Sequence, residues 1–299
     1  MLKISVVIPT YRRPEELKRC IEGLKKQSVP PWEIIVAARE DDKETLEVLK
    51  KIKGVKIAFT GPKQTRAWRA GTQAATGDIV CFTDDDAVPR PDWIEKIKKH
   101  FEYEPSLGGV GGKDAIWNGD KPRKFSPVKK VGRITWYGKS IGNHHRGNEI
   151  QYVDHLKGVN MCFRRELLTD FDHNLLGLAE PLNDMWVSLS VKSKGYKLLY
   201  DPEIIVDHYP GVTFDGRRGD TRERDAYMRG HNEIYILLTF TSSLRKIVAF
   251  LYSFLVGNYT SPSIIRALFN PSLFPYVRDA WRGRVEGLRT YRLNRTAFS

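Results

Sequence analysis

Short apolar runs alternate with helical patterns along the first hundred residues. The run at 4–8 (Ile4, Val6, Val7, Ile8) leads into 14–27, where Leu17, Ile21 and Leu24 recur at helical spacing and Pro14 suits a first turn. Apolar runs at 33–37, 55–59 and 79–83 precede helical patterns over 45–52, 65–75 and 91–101. Strand and helix alternating at this pitch predict βαβ units and a mostly parallel sheet. Such sheets bind ligands beyond the carboxyl ends of their strands, so chemistry is expected just after Ile8, Ala37 and Thr83.

The pattern fades over 113–150, a stretch rich in glycine, basic residues, histidine and aromatics. It reads as an irregular excursion of the kind that carries specificity. Regularity returns with a strand at 159–163, a helix at 181–194 and strands at 197–200 and 204–206. Residues 209–224 read as a mobile, arginine-rich loop, and 225–298 as several helices. Charge sharpens the view of this last part: of 299 residues, 49 are Lys or Arg and 36 Asp or Glu, a net charge of +13. Residues 226–299 hold ten of the basic residues against Glu233, Asp279 and Glu286, which marks a separate basic element. Within it, 247–265 lacks any charge but is broken by Gly257, Asn258, Ser261 and Pro262, so it suits an anionic membrane surface better than a span. A helical subdomain on the core, or a homodimer interface, is the bland alternative. Hydrophobic content of 41% and charged content of 28% exclude a disordered or fibrous chain. Cys20, Cys81 and Cys162 form neither a disulfide framework nor a zinc motif, and no cleavable leader is evident, so a cytoplasmic protein is expected.

Asp84-Asp85-Asp86 is the sharpest chemical signal. Three carboxylates closing an apolar strand repel one another unless a cation binds, and Mg²⁺ or Mn²⁺ is the natural partner. The plain alternative is an aspartate turn capping the next helix. His208, just past the run at 204–206, is the candidate second metal ligand, although a lone histidine is more often structural. Asp184 opens the helix over 181–194 with Glu180 just ahead. That position suits capping and also keeps a general base ionised. The glycines at 108, 109, 111 and 112 fit neither a P-loop nor G-x-G-x-x-G, because Asp114 stands where the third glycine belongs, so a close-packed strand or turn is expected. His144 and His145, being adjacent, are not read as metal ligands.

Val7-Ile8-Pro9-Thr10-Tyr11-Arg12-Arg13 and Gly77-Asp78-Ile79-Val80-Cys81-Phe82-Thr83-Asp84-Asp85-Asp86 resemble the inverting glycosyltransferases of family 2. Gly158 to Arg165 and Gly195 to Pro202 continue the match in order, so the resemblance covers about residues 3–210. It implies a GT-A fold over 1–224, an α/β architecture with a mostly parallel sheet flanked by helices, followed by a helical, basic extension over 225–299. It further implies transfer of one sugar from a nucleoside-diphosphate sugar, uridine ahead of guanosine, to a glycan or lipid-linked acceptor. Pro9, Thr10 and Tyr11 would line the nucleoside pocket, with Arg13, Arg66 and Asp85 also on the donor. Asp86 would hold Mg²⁺ or Mn²⁺, and Asp84 would lie nearer the ribose. The acid that usually holds the base shifts to Asp41 or Asp42. The usual Glu-Asp pair appears as Asn183-Asp184, making Asp184 the general base and Glu180 its rival. Arg217, Arg218 or Arg222 would neutralise the leaving group. The processive Gln-x-x-Arg-Trp signature is absent. A lipid-linked acceptor would place the chain on the cytoplasmic face of a membrane. The rivals are a sugar-nucleotide nucleotidyltransferase, which would want a phosphate-gripping glycine loop near the N-terminus, and a basic nucleic-acid-binding protein, which has no use for the aspartates. Nucleic acid is therefore set aside as a partner.

Overall fold

A computed structural model describes residues 2–211 and 221–294. The strands are β1 (Ile4–Pro9), β2 (Glu33–Arg39), β3 (Val55–Thr60), β4 (Ile79–Phe82), β5 (Ala87–Pro89), β6 (Leu107–Asn118), β7 (Lys121–Pro122), β8 (Arg133–Ile134), β9 (Ser140–Ile141), β10 (Gln151–Val153), β11 (Met161–Arg164) and β12 (Lys197–His208). The helices are α1 (Pro14–Lys25), α2 (Lys43–Leu49), α3 (Gln64–Ala74), α4 (Trp93–Tyr103), α5 (Asn183–Ser193), α6 (Arg222–Phe240), α7 (Ser243–Leu255), α8 (Ile264–Phe269) and α9 (Phe274–Asn294). The chain divides into two compact units. One comprises 1–133, 142–171 and 187–214; the other comprises 134–141, 172–186 and 215–299.

The first unit is a twisted sheet in the order β10-β12-β6-β11-β4-β1-β2-β3. β1 pairs in parallel with β2 and β4, β2 with β3, and β12 with β6, while β11 runs antiparallel between β4 and β6. Alternation decides the layers, since successive strand residues face opposite sides. Ile4, Val6 and Ile8 pack with Leu17, Ile21 and Leu24 of α1 and Trp93 and Ile97 of α4 on one face. Val7, Val80 and Phe82 pack with Trp68 of α3 and Val187 and Val191 of α5 on the other. The two strands expected at 197–200 and 204–206 are one strand, β12, whose register shifts between Asp201 and Ile205. The glycine run lies inside β6, where Gly109 and Gly111 face β11 and bulk is excluded. The stretch 113–150 starts in that strand and continues through the short β7, β8 and β9.

The second unit is helical. α6 and α9 cross with almost no side chain between them: a Cβ on Gly283 would stand 2.0 Å from the Tyr227 carbonyl oxygen. Glycine inside a helix costs about 1 kcal/mol relative to alanine, and here close packing offsets it.

Candidate functional site

The site grows from the carboxyl ends of β1, β4 and β12, as the sheet predicts. After β1 the chain turns through Arg12, whose φ of 55° lies in the left-handed region. The Arg12 amide donates to the Asp42 carboxylate, which also caps α2 by accepting from the Thr45 amide at 3.2 Å. Asp42 is therefore buried and engaged in holding two loops. Its neighbour Asp41 is exposed, chelated by the Arg39 guanidinium at 2.8 and 2.5 Å. Arg39 in turn stacks 3.9 Å over the Tyr11 ring. Arg39, Asp41, Phe59 and Gly61 line a cleft of about 430 Å³. Arg66, on the first turn of α3, reaches over Gly61 at its margin.

Beyond β4 the chain turns over Asp84–Ala87, closed by the Ala87 amide donating to the Asp84 carbonyl at 3.1 Å. The three carboxylates then part company. Asp85 is buried, accepting from the Thr10 hydroxyl at 2.9 Å and from Arg13 Nη1 at 2.9 Å. The same Arg13 nitrogen lies 2.8 Å from Asp86. Asp84 and Asp86 instead converge with His208 at the end of β12, and one ligand atom from each lies within 4.8 Å of the others. The imidazole Nε2 stands 3.3 Å from Asp86, while Nδ1 meets the fully buried Asp114 of β6 at 2.9 Å. Lys157 pairs with the far side of Asp114. The Gly211 amide donates to Asp86 at 3.2 Å.

The electrostatics of a cation site follow. Burial, reinforced by Asp86, lifts the Asp84 carboxyl to about 7. Burial also lifts Asp85, to about 6, although Arg13 opposes it. Burial works against the Asp86 charge too, but His208 and Arg13 outweigh it and hold that carboxyl at about 2. The same carboxylates, Asp114 first, overcome the burial of His208 and raise it to about 10. Two carboxylate oxygens and an imidazole nitrogen gathered within 4.8 Å of one another fit a divalent cation. Asp114 completes the arrangement, because a carboxylate on Nδ1 fixes the ring with Nε2 toward Asp86.

Asp184 lies on the first turn of α5, in the second unit, partly exposed, with its carboxylate accepting from the Met185 amide at 2.8 Å. Glu180 is fully buried on a turn in which it and Leu182 both have positive φ, 45° and 72°. Arg222 opens α6 with its guanidinium 4.2 Å over the Tyr276 ring. Arg217 and Arg218 lie outside the described residues. His144 is buried with Nε2 donating to the His155 carbonyl, and His145 packs edge-on to Phe125.

Asp114, Lys157, Arg39 and Phe59 were not singled out by the sequence. Asp114 alone left a trace, as an acid just past the glycine run of β6. Sequence alone marks it only as a misfit to a nucleotide-binding glycine loop.

A sheet of this order, with an Asp-rich turn closing β4, defines a GT-A fold. The family model described as Glycosyl transferase family 2 matches residues 5–169, and the chain belongs to that family. It is 27% identical over 177 residues to the glucosyl-dolichyl phosphate glucuronosyltransferase of Haloferax volcanii, covering 56% of this chain and 55% of that protein. It is 27% identical over 228 residues to a Methanococcus voltae enzyme, a dolichyl N-acetyl-glucosaminyl phosphate diacetamido-glucuronosyltransferase, covering 69% of this chain and 66% of the relative. The chain thus spans less than two thirds of either relative's length. Among solved structures, a mannosyltransferase from Pyrobaculum calidifontis in complex with GDP-Man and Mn²⁺ superposes with a TM-score of 0.59 at 16% identity, over 96% of this chain and 87% of that one. GalNAc-T7 with UDP, GalNAc and Mn²⁺ superposes with a TM-score of 0.60 at 16% identity, over 92% and 58% of the two chains. These two likenesses concern the fold.

Proposed function

We propose that this protein transfers one sugar, with inversion, from a nucleoside-diphosphate sugar to a hydroxyl of a lipid-linked acceptor. The carrying observation is the convergence of Asp84, Asp86 and His208 at strand ends in a family 2 chain. The dolichyl-phosphate-linked sugars in the two archaeal relatives' names support the acceptor class. Such an acceptor would put the work at a membrane surface, on the cytoplasmic side where nucleotide-sugars are made. A uridine diphosphate sugar is the first donor to test.

Asp84, Asp86 and His208 would hold a divalent cation, Mn²⁺ ahead of Mg²⁺ because one ligand is an imidazole nitrogen, and it would supply positive charge to the leaving diphosphate. The chain does the rest. Arg13 offsets the buried carboxylates of Asp85 and Asp86, and Asp114 orients His208. Pro9, Thr10 and Tyr11 border the nucleoside, and Asp41, exposed at the cleft edge, is a better base-binding acid than the buried cap Asp42. Asp184, partly exposed on the first turn of α5, takes the acceptor proton. Glu180, fully buried, positions the turn before α5 and does not meet the acceptor. Arg217 and Arg218, outside the described residues, would neutralise the leaving group.

The test is a panel of nucleotide-sugars incubated with Mn²⁺ or with chelator, with and without polyprenyl-phosphate-linked sugars. Metal-dependent release of nucleoside diphosphate with a lengthened glycolipid is expected. Release of pyrophosphate instead would replace this reading with a nucleotidyltransferase.

A further inference from the structure

α7 and α8 present their apolar residues to solvent. On an ordinary surface helix the outward positions are polar and the inward ones apolar. On α7 the outward row is Leu244, Ile247, Leu251 and Leu255, exposed by 67, 60, 49 and 50% and spaced at three and four residues. The inward side carries Ala249 and Ser253. A turn through 257–262 leads to α8, which repeats the arrangement: Leu268 and Phe269 are 64 and 89% exposed, and Ala267 is buried. Two consecutive helices with apolar outer faces are an unpartnered surface.

We infer that this α7–α8 face lies in the interface of an anionic lipid bilayer. Spanning is excluded for these elements, since among the described residues no helix is long and apolar enough to cross a membrane. A 13-residue α7 measures about 20 Å, short of the ~30 Å hydrocarbon layer. Charge selects lipid over a second protein. From Ile247 to Ile265 there is no acid or base, whereas Arg245, Lys246 and Arg266 flank the apolar rows. Exposed Arg278, Arg282 and Arg289 of α9 line a groove of about 780 Å³ together with Phe274, Trp281 and Glu286; Arg282 and Arg289 pair with Asp279 and Glu286 of the same helix, which among the described residues leaves Arg278 as the unneutralised charge of the three. Apolar rows edged by arginine and interleaved aromatics are the pattern of helices that lie in the headgroup region. The assignment extends the lipid-acceptor reading, but its test needs no sugar transfer, so either can fail alone.

The experiment is co-sedimentation of the full chain with phosphatidylglycerol-containing vesicles and with pure phosphatidylcholine vesicles, at low and high salt. Binding to the anionic vesicles that weakens with salt is expected, each flanking basic residue contributing about fivefold in partitioning. Leu251→Ser with Leu255→Ser should weaken binding tenfold or more. Both sites are exposed, so circular dichroism should be unchanged. Tyr103→Ser, which removes an exposed aromatic elsewhere, should bind as the parent does. The inference is overturned by protein that stays in the supernatant at low salt, by binding the leucine variant retains, or by concentration-dependent dimerisation that the leucine variant abolishes in place of vesicle binding.

Discussion

Arg13 can be removed to ask what holds the carboxylates together. Its Nη1 lies 2.9 Å from Asp85 and 2.8 Å from Asp86, with all three side chains at most 8% exposed. Arg13→Met keeps the apolar stem and strands two buried carboxylates, and breaking a buried pair costs about 3–5 kcal/mol. Protonation caps the loss. Asp85 is already lifted to about 6 with the guanidinium present. Without it the carboxyl rises further, and the cost added over the parent is at most about 1.4 kcal/mol for each unit between about 6 and the working pH. Protonation therefore holds the Asp85 share of the loss to roughly 2 kcal/mol at about pH 7.5, or a fall in melting temperature on the order of 5 °C. The sign with pH follows: a carboxyl raised in the folded state binds more protons folded than unfolded, so the variant's deficit shrinks as pH falls toward about 5. Thermal unfolding in chelator at about pH 7.5 and about pH 5.5 reads both quantities. Arg13→Met with Asp85→Asn should recover part of the loss. A variant within about 0.5 kcal/mol of the parent at neutral pH would refute the reasoning, because surface-like pairs behave that way.

The other outcomes can be checked singly. His208, held protonated up to about 10 by Asp114 and Asp86, must give up that proton to ligate a cation, so Mn²⁺ binding should release protons and tighten as pH rises; calorimetry in buffers of different ionisation enthalpy reads this, and buffer-independent heats would contradict it. Asp184→Asn should lower turnover about a hundredfold to ten-thousandfold with donor affinity unchanged, whereas Glu180→Gln should chiefly lower stability; the reverse pattern in kinetics and melting curves exchanges their roles. Buried His144 is lowered from 6.5 to about 3 by burial and by His155. The unfolded chain then binds the extra proton, so stability should fall with pH through that window, by up to about 1.4 kcal/mol per unit. His144→Gln keeps a donor for the His155 carbonyl and should flatten the slope.

The βα half of the first unit was legible because β1, β2 and β4 are continuous buried apolar runs and α1, α3 and α4 each carry one apolar stripe. The α5 helix lies inside the expected 181–194, whereas the two strands expected at 197–200 and 204–206 are the single β12. What periodicity could not supply was pairing. β11 reads as one more apolar run, and nothing local says that it turns antiparallel between β4 and β6. The helices of the second unit were expected as helices, but the α6–α9 crossing depends on glycines at 230, 283 and 287 that look like helix breakers until a partner backbone is set against them. The outward leucines of α7 were counted as apolar content, since a sequence does not reveal which side of a helix the rest of the chain leaves bare.

The aspartate cluster shows why residue type located the site but not its division of labour. Three adjacent carboxylates predict a cation and say nothing of which acid meets it. The turn over Asp84–Ala87 decides, because it sends Asp85 back toward Thr10 and Arg13 while Asp84 and Asp86 meet His208. Asp85 is therefore spoken for by protein, and a cation replaces only the repulsion between Asp84 and Asp86. Substituting Asp85 should then act through the placement of its neighbours. Asp85→Asn keeps the Thr10 hydrogen bond and relieves Arg13 of one charge, so the folded state should survive and cation binding weaken modestly. Asp86→Asn removes a ligand that His208 and the Gly211 amide already orient, and should abolish cation binding outright. Titration of the two variants with Mn²⁺ separates the roles, and equal losses at both positions would mean that the turn does not divide them.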